Sequence, residues 1–113
     1  MTFVESLHTY GLKEKRLTGI IKKVNKGKKI SNLFLVVLPI NKREILEIYP
    51  YNQLLQEGYD EYRDEIKVLG VSRSREDAFR IVEDIVQYLT DNGIRWECAE
   101  EINSGICEIY NLT

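Results

Sequence analysis

The sequence predicts an α+β fold, in which a small antiparallel sheet has one long amphipathic helix packed on one face and a basic helical arm at the N-terminus. Three observations lead to this prediction. Residues 33–38 are apolar at every position, residues 75–92 repeat apolar side chains with a helical period, and lysine is concentrated before residue 30. The 113 residues are enough for one such domain.

Composition limits the classes of protein to which the chain can belong. A hydrophobic share of 43% is too high for a disordered chain, and the apolar run at residues 33–39 is far shorter than the roughly 20 residues of a membrane span. Residues 1–20 lack the pattern of a secretory signal, so we expect a cytoplasmic protein with no membrane partner. There Cys98 and Cys107 should stay reduced, and with His8 they are too few for a zinc site, so no metal or cofactor is expected.

Charge divides the chain near residue 30. The first 30 residues hold eight Lys and Arg side chains against Glu5 and Glu14, a net charge of +6, whereas the other 83 residues hold eight bases and 16 acids, a net charge of −8. We therefore predict a basic N-terminal arm, residues 1–30, joined to a single α+β domain, residues 31–113. Such an arm either neutralises an acidic body or contacts an anionic partner.

Three segments have the pattern of strands, namely residues 31–38, 44–50 and 65–72. The first is apolar at both parities, as in a strand covered on both faces, and Pro50 ends the second. We expect these two to pair as an antiparallel hairpin around a turn at residues 39–43. The second apolar face of strand 31–38 also needs cover. Either the arm or a second copy of the protein can supply it, so a homodimer is a candidate.

The segment 75–92 has the clearest signals of a helix. Ser74 is suited to the N-cap, with Asp77 three residues later, and Gly93 follows the last turn. Apolar side chains fill about half of the helical circumference, so we expect this helix to lie flat on the sheet.

Two other segments are open to more than one interpretation. Residues 94–98 and 106–110 are predicted as short strands, although residues 97–103 could instead form a helical turn. In the arm, a helix would align an apolar stripe of Leu17, Ile20, Ile21 and Val24, which is the favoured prediction. The alternative is a strand at 17–24 that turns at residues 25–28 into the next strand.

Two sets of residues are candidates for anion binding. The first lies at the N-terminus of the predicted helix and consists of Ser72, Arg73, Ser74 and Arg75. Its alternative explanation is capping by Ser74 with solvated arginines. The second set is in the arm, where the candidate nucleic-acid contacts are Lys15, Arg16, Lys22, Lys23, Lys26, Lys28 and Lys29. No base-reading pattern accompanies them, so we expect electrostatic binding that falls with salt.

Tyrosine marks a candidate interaction surface for a protein partner. Four tyrosines surround a polar loop: Tyr49, Tyr51, Tyr59 and Tyr62. Tyrosine combines apolar area with a polar tip, which suits such a surface. The competing interpretation is that these side chains cover the edge of the sheet.

Catalytic residues are not recognisable in the sequence. Glu65 and Lys67 share a strand face, as a carboxylate and a lysine do in metal-dependent nucleases, but any strand with outward-facing charges gives this spacing. His8 does not form a recognisable nucleophile arrangement with Ser6 and Glu5 or with either cysteine. Because no set of nucleophile, base and oxyanion donors is visible, an enzyme is the third hypothesis.

Three stretches of the sequence resemble known proteins. They are Leu35-Val36-Val37-Leu38-Pro39, residues 46–56, and Val68-Leu69-Gly70-Val71-Ser72 leading into Arg75-Glu76-Asp77-Ala78. Over residues 31–92 the chain resembles a group of small uncharacterised bacterial proteins. The resemblance implies a compact bacterial α+β domain and assigns no catalytic or binding residue.

The function that the sequence favours is a non-enzymatic binding or assembly module of the bacterial cytoplasm. The alternative is a nucleic-acid-associated accessory protein that uses the basic arm.

Overall fold

The computed structural model of the protein describes residues 1–39 and 45–112, which form one mixed sheet with helices on both faces. The strands are β1 (Thr2–Thr9), β2 (Phe34–Val37), β3 (Glu47–Pro50) and β4 (Lys67–Ser72). The helices are α1 (Glu14–Asn25), α2 (Asp60–Arg63), α3 (Arg75–Asp91) and α4 (Ala99–Ile109). Two 3₁₀ turns, Tyr51–Leu55 and Glu57–Tyr59, follow β3. The α+β class is therefore confirmed.

The sheet has the order β1-β4-β2-β3. Strand β2 is antiparallel to both of its neighbours, β3 and β4. The edge strand β1 is parallel to β4, so the prediction of a purely antiparallel sheet is wrong. The predicted turn at residues 39–43 and the start of the predicted strand 44–50 lie mostly outside the described residues.

Strand β1 escaped prediction because its pairing is irregular. Phe3 pairs with Val68 and His8 with Gly70, and the register shifts between these two pairs. Such an irregularity breaks the two-residue alternation by which a half-buried edge strand is recognised. Residues 1–30, predicted as a basic arm, thus contribute β1 and α1 to the sheet and its cover.

Strand β2 is covered on both faces. Leu35 and Val37 belong to a core with residues of α1 and the first 3₁₀ turn, whereas Val36 belongs to a core with residues of α3 and α4. All three side chains are 0% exposed. Because α1 lies on the face that a second copy would otherwise shelter, this core gives no reason for a homodimer, which stays a prediction.

Helix α3 begins and ends at local signals in its sequence. The Asp77 N–H donates to Ser74 Oγ at 3.1 Å, and Gly93 takes the left-handed φ of +94° after the last turn. Ala78, Ile81, Ile85 and Leu89 recur every three or four residues and are buried against the sheet.

The C-terminal segment is helical, so the prediction of strands at 94–98 and 106–110 is wrong. Helix α4 buries Ile102 and Ile106, and Tyr110 follows one turn later on the same face. Gly105 allows this helix to approach Ile94, because a Cβ at Gly105 would stand 2.6 Å from the Cδ1 atom of Ile94. In the described part of the chain, no helix is both long and apolar enough to cross a bilayer.

Candidate anion-binding site

Helix α1 displays cations because its apolar side is fixed to the sheet. Ile20 and Val24 lie one turn apart and are buried, which directs the remaining faces of the helix outward. Glu14 in the first turn and Lys22 and Lys23 in the last have the charges that the helix dipole favours. The lysines therefore help to stabilise α1 even without a ligand.

The predicted nucleic-acid contacts all lie on α1 and on the loop that follows it. Together they define the basic face, which consists of Lys15, Arg16, Lys22, Lys23, Lys26, Lys28 and Lys29. Each of these residues is exposed. The ion pairs found within residues 1–39 and 45–112 involve none of them. Their charge is thus available to a partner.

A cavity beside α1 collects cations from separate parts of the chain. It is lined by Arg16 and Lys23 of α1, Lys29 of the following loop, and Arg73 of the loop between β4 and α3. We call it the basic pocket; its volume is about 460 Å³, and Gly19, Ile20, Ile30 and Ser31 complete its lining. No described lining residue is a carboxylate. The structure therefore joins Arg73, from the first predicted set, to three members of the second.

The other members of the first set are engaged elsewhere. The Ser72 hydroxyl donates to the carbonyl oxygen of Ser74 at 2.8 Å, and Ser74 caps α3. The guanidinium carbon of Arg75 lies 5.3 Å from the centroid of the Phe34 ring. These contacts leave Arg73 as the member of this set that lines the basic pocket.

The first turn of α3 contains acidic side chains. Glu76 and Asp77 lie there, and their carboxylates approach the Arg80 guanidinium at 3.6 and 3.8 Å. Negative side chains already complement the helix dipole at this end. A phosphate bound directly at the helix N-terminus would meet these carboxylates, so the basic pocket is the better anion site.

The basic face and the exposed acids of α3 and α4 lie on opposite sides of the sheet. Helix α1 and its basic face lie on one side, and α3 and α4 pack on the other. The outer surfaces of α3 and α4 carry the exposed acids Glu76, Glu83, Asp84, Asp91, Glu100, Glu101 and Glu108. A polyanion is therefore attracted to the basic face and repelled from α3 and α4. The 3₁₀ turns and α2 with its C-cap, on the same side of the sheet as α1, carry further exposed acids, which confine the attraction to the basic face itself: Glu57, Asp60, Glu61 and Asp64.

The four tyrosines do not form one exposed surface. Tyr51 is 0% exposed and lies in the core, because the 3₁₀ turn after Pro50 directs it to the sheet. Its hydroxyl has no hydrogen-bond partner among the described residues. Tyr62 is 41% exposed. Tyr51 is thus unsuited to the interaction surface that the sequence suggested.

Tyr49 and Tyr59 are the two tyrosines that the structure brings together. Their rings meet edge to face with centroids 6.1 Å apart. The Tyr49 hydroxyl donates to the Glu47 carboxylate, and burial, helped by this hydrogen bond, raises the pKa of Tyr49 to about 12. The Gln53 amide donates to the Tyr59 hydroxyl at 2.7 Å. These contacts brace the loop after β3.

A histidine–tyrosine contact is a polar feature that sequence reasoning missed. The Nε2 atom of His8 on β1 lies 2.8 Å from the Tyr110 hydroxyl, and the Tyr88 ring packs against His8 at a centroid distance of 5.4 Å. Burial lowers the pKa of His8, and the charge of Asp84 opposes this effect. No local signal could reveal this contact, because the partners lie at opposite ends of the chain.

Acidification is expected to destabilise the protein through His8. Because burial lowers the pKa of folded His8 below 6.5, the unfolded chain binds the proton more readily, so stability is complete above about pH 6.5 and falls as pH drops through the folded pKa. The loss should stay below about 1 kcal/mol, since the ring is partly exposed. Urea denaturation between about pH 5 and 7.5 measures it. A His8→Gln variant with the same pH dependence would contradict the assignment.

A second cavity, of about 580 Å³, is lined by Glu65 and Lys67, the pair whose strand spacing resembles that of metal-dependent nucleases. Cys107 of α4 also lines it. Within the described segments, no group of three or more His, Cys, Asp or Glu side chains is placed to hold a metal ion. The basic pocket is the site at which predicted residues from both anion-binding sets converge.

Comparison of the chain with protein-family models, with curated proteins and with solved structures gave no match.

Proposed function

We propose that the protein is a non-enzymatic binding module that contacts the phosphate backbone of a nucleic acid through its basic face. The observation that carries this proposal is the convergence of exposed cations on one side of the sheet, with none of them in an ion pair among the described residues. Phosphate contacts by Lys and Arg supply most of the affinity of sequence-independent binding.

The architecture supports contact through helices and loops rather than through the sheet. RNA-recognition sheets stack bases on aromatic side chains exposed on one face. Here both faces of β2 and β4 are buried beneath helices and the 3₁₀ turn. The basic face, which is free of such cover, is the surface that a backbone can reach.

The acids on the opposite side support a defined orientation. Exposed carboxylates of α3 and α4 repel a polyanion, while α1 attracts it. A nucleic acid would therefore approach along α1 and not bind over the whole surface. The concentration of cations on the basic face is compatible with an overall net charge of −2, which by itself would argue against nucleic-acid binding.

Salt dependence provides the test. With about five phosphate contacts, the affinity for duplex DNA is expected to fall about 10²- to 10³-fold between about 50 and 200 mM salt. Fluorescence anisotropy with unrelated DNA sequences at both concentrations measures this change. Replacing Lys15, Lys22 and Lys26 together by Gln should flatten the slope of log affinity against log salt by between two and three.

The matched control is Arg80→Gln, which removes one positive charge from α3 on the acidic side. It should leave both the affinity and the salt slope unchanged. Absence of binding at low salt, or equal losses from Arg80→Gln and from the α1 substitutions, would rule out the basic face as the nucleic-acid contact.

A further inference from the structure

The basic pocket has features that a plain basic surface does not need. Its cations come from three parts of the chain, α1, the loop after it, and the loop between β4 and α3, and they surround a cavity of about 460 Å³. Pockets for small molecules typically measure about 300–1,000 Å³. The cavity can therefore hold a phosphorylated group of nucleotide size.

The fold gives no reason for a glycine at position 19, whereas the basic pocket does. It lies in the interior of α1, where glycine destabilises a helix by about 1 kcal/mol relative to alanine. A Cβ at this position would meet nothing within 4 Å, and its φ is not in the left-handed region. Neither packing nor backbone conformation therefore demands glycine, but any longer side chain would enter the pocket that Gly19 lines.

Hydrogen bonds fix the two loops that bring cations to the pocket. The Ile30 N–H donates to Asn52 Oδ1 at 2.9 Å, which holds the backbone next to Lys29. Arg73 stands between Ser72 and Ser74, whose hydroxyl-to-carbonyl bond closes the loop before α3. Because the backbone is fixed before a ligand arrives, less ordering entropy is lost on binding.

We propose that the basic pocket binds a phosphomonoester, meaning a terminal phosphate group attached to a nucleoside. Such a group is close to a dianion at neutral pH, whereas an internal phosphodiester carries one charge. A pocket with four cationic side chains and no described carboxylate in its lining favours the dianion, and the guanidinium groups of Arg16 and Arg73 suit the paired oxygens of a phosphate. The partly buried Ile30 provides apolar contact for the attached nucleoside.

The same chemistry has two sources, the phosphorylated end of a nucleic-acid chain and a free mononucleotide. The chain-end version rests on the proposed function, since the basic face would hold the chain that leads from the pocket. The free-nucleotide version depends on the pocket alone. The two versions therefore predict different ligands for one site.

The experiment compares short oligonucleotides of one sequence that end in phosphate or in hydroxyl, alongside adenosine monophosphate and adenosine. Fluorescence anisotropy measures oligonucleotide binding, and calorimetry measures the free nucleotides. We expect about a tenfold preference for the phosphorylated member of a pair. Arg73→Gln and Lys23→Gln should remove this preference. Their neighbours provide matched controls, because Arg75→Gln and Lys22→Gln should leave the preference ratio intact.

A substitution that fills the pocket without weakening the fold distinguishes loss of binding from loss of folding. Gly19→Leu should raise the free energy of unfolding, because leucine is a better helix former than glycine, and should still abolish the preference. A Gly19→Leu variant that folds and retains the preference would overturn the pocket assignment.

The remaining outcomes distinguish the two proposals. Salt-dependent oligonucleotide binding without any end preference, together with equal binding of adenosine monophosphate and adenosine, would overturn the pocket proposal and leave the proposed function standing. If adenosine monophosphate is still preferred over adenosine, the chain-end version is overturned and the free-nucleotide version is supported. Preference for adenosine monophosphate over adenosine without oligonucleotide binding would support the pocket and overturn the proposed function. Absence of binding in every arm would overturn both.

Discussion

Deletion of residues 1–29 is expected to abolish the cooperative thermal unfolding transition of the protein. The deletion removes β1, whose backbone pairs with β4, and α1, which covers one face of the sheet. Burial of one large apolar side chain contributes roughly 1.5–3 kcal/mol, and typical domains have about 5–15 kcal/mol of net stability. The deletion exposes Leu35, Val37 and Val68 and removes Ile20 and Val24. The stabilisation lost is therefore expected to equal or exceed the net free energy of unfolding.

The deletion also removes the cations, so a charge control is necessary. Replacing Lys15, Lys22 and Lys26 by Gln removes three charges from exposed positions and leaves every buried side chain of α1 in place. Each exposed substitution should change stability by no more than about 0.5 kcal/mol. Circular dichroism melts of the two variants test the point. A truncated chain that melts cooperatively near the wild-type temperature would show that the first 29 residues are an appendage rather than part of the fold.

The sequence predicts the parts of the fold whose signals are local. The apolar run at residues 33–38 implies a strand with two buried faces, and in the structure Leu35 and Val36 point into different cores. The Ser74 cap and Gly93 mark the ends of α3 because capping depends on neighbouring residues alone. These features need no knowledge of the rest of the chain.

The missed elements depend on context. The register shift in β1 disrupts its alternation. In α4, the spacing of Ile102, Ile106 and Tyr110 is helical, but Gly105 and the β-branched residues around it lower the helix propensity. Packing against the sheet overrides that propensity and decides the conformation.

The candidate site also has one part that local sequence predicts and another part that depends on the fold. The lysine-rich composition reveals that α1 and its loop are basic, but it does not reveal that Arg73 joins them. That convergence depends on β4 lying inside the sheet with α1 over one face. The sequence groups Arg73 with Ser72, Ser74 and Arg75 because the four residues are adjacent, whereas the fold separates their side-chain contacts.

Gly70→Ala is expected to lower the free energy of unfolding by about 1–3 kcal/mol, the usual range for overpacking. A Cβ at this position would collide with the Cγ2 atom of Ile81 on α3, and it would stand 3.3 Å from the backbone oxygen of His8 on β1. Ile81 is β-branched and has one strongly preferred χ1 rotamer in a helix, so its Cγ2 atom does not turn away easily, and the backbone oxygen of His8 cannot rotate away. Relief therefore requires α3, β1 or both to move away from Gly70. Chemical denaturation measures the loss, and Gly19→Ala provides the control.

The control makes the same chemical change with the opposite expected sign. Gly19→Ala should raise stability by about 1 kcal/mol, because its Cβ enters open space on a helix. The cause of the Gly70 effect is isolated by combining Gly70→Ala with Ile81→Ala, which removes the colliding atom. If the collision is responsible, the double variant loses less stability than the two single losses added together. Additivity within about 0.5 kcal/mol would mean that Ile81 is not the obstacle and that β1 limits the approach of the strands.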